Sequence, residues 1–428
     1  MRREKILRPH RSSARRCATE GPAVLKLLAL LIALTALPAT AYDLALVNGK
    51  IYPSPTAPAI GHGTILIHNG QIIAVGPSEK LKPPSTATII DCTNKVITAG
   101  FWNSHVHFTE PEWQNSATAP AIRLEDHMQT MLNRWGFTTV FDLGSFPDNT
   151  NALRARVNNG EIAGPRIFTV LAPLYPENGI PVYLPAEFRI PQATAPAVAR
   201  AMAEQDLSMG ANGVKVFAGA IVKGGVLPMD PDIIRAAVEV AHAAGKPVFA
   251  HPSNHAGTDS ALNGGVDVLA HTIPMEDAFT PSELRRMGDQ HVALIPTISL
   301  FPDEERKFGG TAETAKAVTN TSITQLKSAF DQGIPILFGT DVGYTALYDT
   351  TSEYQYMSRS GMTYRDILAS LTTTPATFFK TPHTGRIEKG LDADLTILCA
   401  DPQADPKNFA RVAYTIRAGK IIYKKLVN

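Results

Sequence analysis

The sequence contains little cysteine and no large excess of charge of either sign. Three cysteines occur in 428 residues, which excludes a fold built on disulfides. The formal net charge is +1, and 44% of the residues are hydrophobic. These values are typical of a globular protein, and the length suffices for one large domain and a smaller one.

The first 41 residues differ from the rest. They hold 8 of the 40 basic residues, followed by the apolar run LLALLIALTAL at 27–37 and by Ala39-Thr40-Ala41. This order of basic, apolar and small residues predicts a signal peptide over 1–41. The apolar run of 11 residues is short for a membrane span of ~20 residues. We therefore expect export to a periplasm or to the exterior, by a Sec or a twin-arginine route.

Removal of residues 1–41 changes the charge of the protein. It leaves 32 basic against 37 acidic residues, a net charge of −5. No basic surface is left that would indicate a nucleic acid or a membrane as a partner. We expect a small-molecule substrate, and a homo-oligomer stays open. Cys92 and Cys399 either form a disulfide with each other or stay free.

The central part of the chain repeats one pattern. Short apolar runs alternate with alanine-rich stretches of helical periodicity, such as 230–245 and 319–333, each ending in glycine. Such alternation predicts a parallel α/β sheet, and eight units predict a closed (β/α)8 barrel, a TIM barrel, over 99–385. The runs are KVITAGFWNSHVH, GFTTVFDLG, PRIFTVLAP, NGVKVFAG, GKPVFAH, VDVLAHT, HVALIPTI and GIPILFGTD.

The sequences on both sides of this region predict β-strands. Residues 42–98 carry alternating apolar and polar positions with asparagine-glycine turns, and residues 386–428 return to the same style. Two β-rich flanks around a barrel predict one small β-sandwich formed by both termini.

Five candidate metal ligands and one lysine fall where the predicted barrel strands end. His105 and His107 are two residues apart, so in a strand both imidazoles point to the same face. The carboxyl ends of barrel strands meet at one mouth, so the other candidates should join them there. Imidazole and carboxylate ligands without cysteine suit a catalytic zinc site or a similar divalent ion. The candidate ligands are His105, His107, His251, His271 and Asp341, and the lysine is Lys215.

These segments resemble a known family. The motifs SHVH, GVKVF, VFAHPSN, DVLAHT and FGTDVG, with the closing segment 372–398, are similar to the amidohydrolase superfamily, nearest its imidazolonepropionase-like and prolidase-like branch. Three departures matter. Asn103 stands where the family often has aspartate, and Asn254 stands where its deaminases have a proton-shuttling glutamate, which disfavours deamination. The tyrosine that peptide-cleaving members carry after Lys215 is missing.

The resemblance implies a site for two divalent metal ions, with Zn²⁺ favoured. By resemblance, His105, His107 and Asp341 hold one ion and His251 and His271 hold the other. Carbon dioxide bound to Lys215 as a carbamate would join the two ions. A bridging hydroxide would attack the substrate, and Asp341 would act as the proton acceptor and donor. Two alternatives stay open, a Lys215 paired with an acid and a single-ion site.

The sequence thus predicts an exported metal-dependent hydrolase that cleaves an amide bond, with an aminoacyl or N-acyl amino acid (dipeptide-like) substrate. A lactone or phosphotriester hydrolase is the enzymatic alternative, and a scaffold on a decayed hydrolase fold is the non-enzymatic one. Loops after the strands should shape the pocket. We expect Trp113, Tyr175 and Tyr183 to wall it and Lys223 to meet a substrate carboxylate.

Overall fold

The computed structural model describes residues 44–184 and 190–426. They belong to one unit, Ala41–Asn428. The predicted signal peptide over 1–41 lies outside the described residues.

Strands occur in three groups along the described chain: at the start, through the middle and at the end. Their bounds are β1 Leu44–Ile51, β2 Ile60–His68, β3 Gln71–Pro77, β4 Thr88–Asp91, β5 Val96–Ala99, β6 Phe101–Val106, β7 Phe137–Asp142, β8 Arg166–Thr169, β9 Tyr175–Pro176, β10 Gln192–Ala193, β11 Val214–Val216, β12 Gly219–Val222, β13 Gly225–Pro228, β14 Val248–Ala250, β15 Val268–Leu269, β16 Ala293–Leu294, β17 Leu395–Leu398, β18 Val412–Arg417 and β19 Lys420–Lys424.

Helices separate the central strands. Their bounds are α1 Ala121–Met131, α2 Pro147–Asn158, α3 Pro196–Ser208, α4 Pro231–Ala243, α5 His255–Gly264, α6 Pro281–Asp289, α7 Leu300–Lys307, α8 Ala312–Asp331, α9 Thr351–Arg359, α10 Tyr364–Leu371 and α11 Thr373–Phe378. Short 3₁₀ turns span Pro111–Trp113, Asn133–Trp135 and Pro406–Ala410. The two helices expected from periodicity are confirmed as α4 and α8. No helix of the described chain is long and apolar enough to cross a membrane.

Local sequence explains where several helices begin. Proline occupies the first turn of α2, α3, α4 and α6, where its fixed φ suits a helix and its missing N–H costs nothing. Asn254 caps α5, since its side chain accepts a hydrogen bond from Gly257 N. The asparagine at the position of the deaminase glutamate therefore has a structural task here.

The two ends of the described chain form one mixed sheet. Its strands run in the order β19-β18-β17-β5-β1-β2-β3, and β4 also pairs with β1. The central pair, β17 and β5, is antiparallel and aligns Leu395 with Ala99. Alternate positions of these strands bury a separate isoleucine- and leucine-rich core. The sequence predicts a small β-sandwich from both ends. Hydrogen bonds in the described residues join the strands of both ends into one sheet, and this pairing by itself does not establish two facing layers.

The central strands lie in parallel sheets. One holds β6-β7-β8 and another holds β11-β14-β15-β16. Single parallel bridges connect further segments: Leu174 with Val216, Leu294 with Ile336, and Val106 with Val342. The eighth predicted strand, 333–341, is represented by the bridge at Ile336 and not by a regular strand. The chain thus has an α/β fold, and the sheet pairing by itself does not establish a continuous eight-stranded barrel.

Candidate metal centre

His105, His107 and Asp341 bring three ligand atoms to one point. His105 is the last but one residue of β6 and His107 follows directly after the strand, so both rings lie on one side. His107 Nε2 lies 2.9 Å and His105 Nε2 3.3 Å from Asp341 Oδ1, and the two nitrogens are 3.2 Å apart. This Oδ1 atom is buried and makes no well-aligned hydrogen bond with the described residues. The three groups fit a metal ion as a shared partner.

The two glycines of the segment FGTDVG allow Asp341 to approach the histidine pair. A Cβ on Gly339 would lie 2.9 Å from the His105 Cβ, and one on Gly343 would lie 1.8 Å from the His107 carbonyl oxygen. Neither position therefore accepts a side chain without movement. The Asp341 N–H donates to the His105 carbonyl at 2.9 Å, which fixes the carboxylate over the histidine pair.

His251 and His271 stand on the other side of Asp341. The His271 ring lies 4.7 Å from that of His105 and 4.6 Å from that of His251, centroid to centroid. His271 Nε2 is 3.8 Å from Asp341 Oδ2. One carboxylate oxygen thus faces the first histidine pair and the other faces His271. This arrangement suits a carboxylate between two groups of imidazoles.

Lys215 lies in the middle of β11 and lines the same cavity. Its side chain is buried, with 1% of its surface exposed. Burial lowers the pKa of Lys215 to about 7, although the charge of Asp341 opposes this shift. Among the described residues, no carboxylate oxygen lies within 4.0 Å of the Lys215 Nζ, the largest distance of an ion pair. The described residues therefore do not contain the alternative arrangement, an acid paired with Lys215.

Outer contacts orient the imidazole rings. The Nδ1 atom of His107 lies 2.6 Å from the Gly144 carbonyl, and that of His271 lies 2.8 Å from Thr297 Oγ1. Both contacts leave Nε2 directed at the site, as in metal centres whose ligands are held from behind. Asn103 Oδ1 accepts a hydrogen bond from the His105 N–H at 3.2 Å. The residue that departs from the family pattern thus supports a ligand.

The protonation of the histidines favours metal binding. Burial lowers the pKa of His105, His251 and His271 well below the usual value, and neighbouring charges add to the effect. Burial has the same tendency at His107, but the adjacent Asp341 carboxylate outweighs it, so the pKa of His107 is raised. Neutral imidazole is the form that binds a metal ion, so three of the four rings are already in that form.

Comparison with known proteins decides the family. Residues 96–422 match the model of the amidohydrolase family. The chain belongs to the amidohydrolase family. Members of this family typically use divalent metal ions, and the cluster of His105, His107 and Asp341 has the donor set and spacing for one.

Individual amidohydrolase relatives cover most of the chain. The ochratoxinase of Aspergillus niger is 25% identical over 407 residues, which cover 83% of this chain and 82% of that protein. The structure of a Xaa-Pro dipeptidase with bound methionine in the active site has a TM-score of 0.77 at 25% identity, over 89% of this chain and 100% of that one. The crystal structure of A. niger ochratoxinase has a TM-score of 0.72 at 20% identity, and the match covers 89% of this chain and 96% of the ochratoxinase chain. The chain is a hydrolase that acts on carbon–nitrogen bonds.

A cavity of about 1110 Å³ opens from the metal ligands and has largely apolar walls. Of the residues predicted to wall it, Tyr175 and Tyr183 do line it. The Tyr175 ring stacks on Phe217 at 4.4 Å, and Phe217 stacks on His251 at 4.7 Å. The tyrosine is thus linked to the ligand cluster by two aromatic contacts.

The other two predicted substrate residues lie elsewhere. Trp113 is fully buried, packed on Phe108 at 5.2 Å and on His127 at 4.6 Å between ring centroids. It is absent from the described lining of the cavity, so the expectation that it walls the pocket is corrected to a core position. Lys223 is exposed between β12 and β13 and is also absent from that lining. A hairpin tip points it towards solvent.

Among the cavity residues that the sequence did not predict, two form a polar pair. Glu304 on α7 and Tyr344, three residues after Asp341, both line the cavity. The Tyr344 hydroxyl donates to Glu304 Oε1 at 2.8 Å. Glu304 lies in the run DEER, whose charges resemble an ordinary solvated helix face, so no local signal distinguished it.

Proposed function

We propose that the chain is an exported metal-dependent hydrolase that cleaves the amide bond of an aminoacyl or N-acyl amino acid substrate. The approach of His105 and His107 Nε2 to Asp341 Oδ1 within 3.3 Å carries this proposal. The similarity to a Xaa-Pro dipeptidase supports the choice of substrate class. The cavity, which accommodates a small molecule next to the ligands, supports it as well.

The proposed cofactors are two divalent metal ions, with Zn²⁺ favoured, and a carbamate on Lys215. His105, His107 and Asp341 would hold one ion, His251 and His271 the other, and the carbamate both. Such ions supply Lewis acidity and lower the pKa of water. Burial lowers the pKa of the Lys215 amine to about 7, so a substantial fraction is neutral near physiological pH, and the neutral amine is the form that reacts with carbon dioxide. The carbamate would add a second negative charge beside Asp341, where neutral imidazoles contribute none.

Asp341 is the proposed catalytic residue. Its backbone is tied to His105, and its two oxygens face different histidines. A carboxylate held there can accept a proton from the attacking water and deliver it to the leaving nitrogen.

The finer architecture is also part of the proposal. The parallel strands of the centre, linked by the bridges at Val216, Ile336 and Val342, are consistent with a closed (β/α)8 barrel with its ligands at one mouth. The mixed sheet of both chain ends, folded over its own isoleucine- and leucine-rich core, would form the small β-sandwich. Export to a periplasm or the exterior follows from residues 1–41, and a small molecule is the proposed partner.

The test is elemental analysis of the purified chain together with a substrate panel. We expect close to two zinc ions per chain and hydrolysis of aminoacyl or N-acyl amino acid amides at least ten-fold faster than of lactones and phosphotriesters. Prior treatment with a chelator should abolish turnover, and added Zn²⁺ should restore it. Metal-loaded protein that cleaves lactones or phosphotriesters in preference, or none of the compounds, would overturn the proposal.

A further inference from the structure

A carboxyl group without a cationic partner faces the cavity beyond the metal ligands. Glu304 belongs to α7, and its Oε1 atom accepts the hydrogen bond from the Tyr344 hydroxyl. Among the described residues, no lysine, arginine or histidine nitrogen lies within 4.0 Å of the Glu304 carboxyl oxygens, the largest distance of an ion pair. Lys307, one turn later on the same helix, pairs with Asp303 at 2.7 Å instead.

The surroundings of Glu304 make this lack of a partner costly. Burial raises the pKa of Glu304 to about 7, and the nearby charge of Asp341 adds to the rise. A carboxylate in an apolar environment is unfavourable unless a cation or several hydrogen bonds compensate for its lost hydration. The single hydrogen bond from Tyr344 leaves room for a ligand that brings a positive charge and further N–H donors.

Two aromatic rings stand beside this carboxyl group. The ring centroids of Tyr183 and Tyr344 are 5.3 Å apart in an edge-to-face arrangement, and both side chains line the cavity. Burial raises the pKa of Tyr183, and the nearby Glu304 charge raises it further. The three groups therefore share one part of the cavity. Aromatic faces next to a carboxylate favour an ammonium group, because cation–π attraction adds to the ionic contact.

The mouth of the cavity is apolar and partly open to solvent. Five large apolar side chains that line it are exposed: Phe146 by 45%, Val182 by 59%, Ile221 by 37%, Met275 by 74% and Phe308 by 70%. Contiguous exposed apolar residues around a cleft mark a binding surface. A bulky apolar body of the ligand would cover them.

We propose that Glu304, held by Tyr344 and flanked by Tyr183, binds the protonated amino group of the substrate. The preferred substrates are then aminoacyl amides with a free amine and a bulky apolar side chain, and N-acylated compounds are disfavoured. The identity of this ligand as the substrate rests on the proposed amide hydrolysis.

Binding of two matched probes tests the subsite without any turnover. Calorimetry at pH 8, where Glu304 is mostly ionised and an alkylamine is protonated, compares 4-phenylbutylamine with the neutral 4-phenylbutan-1-ol. A charge-assisted hydrogen bond in an apolar site should make the amine bind about ten-fold more tightly. Equal affinities in the wild-type protein would overturn the proposal, and that comparison needs no variant.

Variants locate the group that recognises the amine. Glu304→Gln should remove the preference for the amine, whereas Glu305→Gln, at the neighbouring cavity position, should retain it. Tyr344→Phe, which removes one hydroxyl, should weaken the preference and tests the same site if Glu304→Gln does not fold. A preference that persists in both Glu304→Gln and Tyr344→Phe would assign the amine to another group, such as a metal ion, and would overturn the proposal.

Kinetics with matched amides separate this inference from the proposed function. We expect kcat/KM for L-leucine p-nitroanilide to exceed that for its N-acetyl derivative about ten-fold, with the ratio near one in Glu304→Gln. Faster hydrolysis of the N-acetyl compound would overturn the amine subsite and leave amide hydrolysis intact. Amine-selective binding without hydrolysis of any amide would instead overturn the proposed function.

Discussion

Replacement of Gly343 by alanine should dismantle the ligand cluster without touching a ligand. A Cβ at this position would lie 1.8 Å from the His107 carbonyl oxygen, more than 1 Å inside the 3.0 Å that real contacts keep. The neighbour is backbone, so no side-chain rotation relieves the clash. The residue also has a φ of +99°, a conformation that an L-residue adopts at a cost of about 1–2 kcal/mol.

The magnitude follows from what must move. A shift of about 1 Å between the Asp341 segment and β6 would break the 2.8 Å hydrogen bond from the His107 N–H to the Val342 carbonyl. Overpacking of this kind costs about 1–3 kcal/mol, and each broken hydrogen bond about 1 kcal/mol. With the backbone strain, we expect a loss of about 3–6 kcal/mol, or roughly 4–7 °C in Tm for a unit of this size.

Gly361 provides a matched control. Its φ is +98°, and a Cβ there would have no neighbour within 4 Å. Gly361→Ala therefore carries the backbone strain without the clash, and its Tm should fall by only about 1–2 °C.

The assay compares both variants with the wild type. Thermal unfolding of chelator-treated protein measures stability, and elemental analysis after dialysis against Zn²⁺ measures occupancy. Metal–ligand distances vary by only about ±0.2 Å in working sites, so Gly343→Ala should lose at least half of its metal while Gly361→Ala keeps it. If the two variants match in Tm and metal content, the close approach of the two backbone segments does not hold the site together.

Three further predictions concern the proposed ligands and the N-terminus. Lys215→Ala should lose one of two metal ions and most activity, with partial rescue by short carboxylic acids, while Lys223→Ala, on an exposed hairpin tip, changes neither. One metal per wild-type chain, with activity unaffected by Lys215→Ala, would contradict the carbamate. Asp341→Asn should largely retain folding and some metal but lose turnover, because an amide cannot accept the proton, and near-normal turnover with full metal occupancy would point to another base. N-terminal sequencing of exported protein should begin at Tyr42, and an intact N-terminus in the membrane fraction would indicate an anchor.

Much of the candidate site could be predicted because its rules are local. His105 and His107 share a side because strand side chains alternate with a period of two. His251, His271 and Asp341 were found because each follows a short apolar run that ends at the same edge of parallel strands. The apolar alternation of both chain ends likewise predicted strands, such as β17 and β18, where strands occur.

The sheet assignments needed contacts between distant residues. Whether the strands of both ends form one sheet or two depends on hydrogen bonds such as those between β17 and β5, nearly 300 residues apart. A strand pattern specifies which face is buried but not which partner covers it. The predicted sandwich and the regular eighth strand both depended on which partner strands pair, and the strand pattern does not specify those partners.

By itself the sequence determined which residues could be ligands, and the tertiary structure decided which side chains face the substrate cavity. Trp113 and Glu304 show the difference, because both follow predicted strands. Trp113 turns inward onto Phe108 and His127, whereas Glu304 turns to the cavity and meets Tyr344, 40 residues further along the chain. Strand-end positions are set by the geometry of the strand itself, but a loop side chain takes its direction from packing partners that only the folded chain brings near.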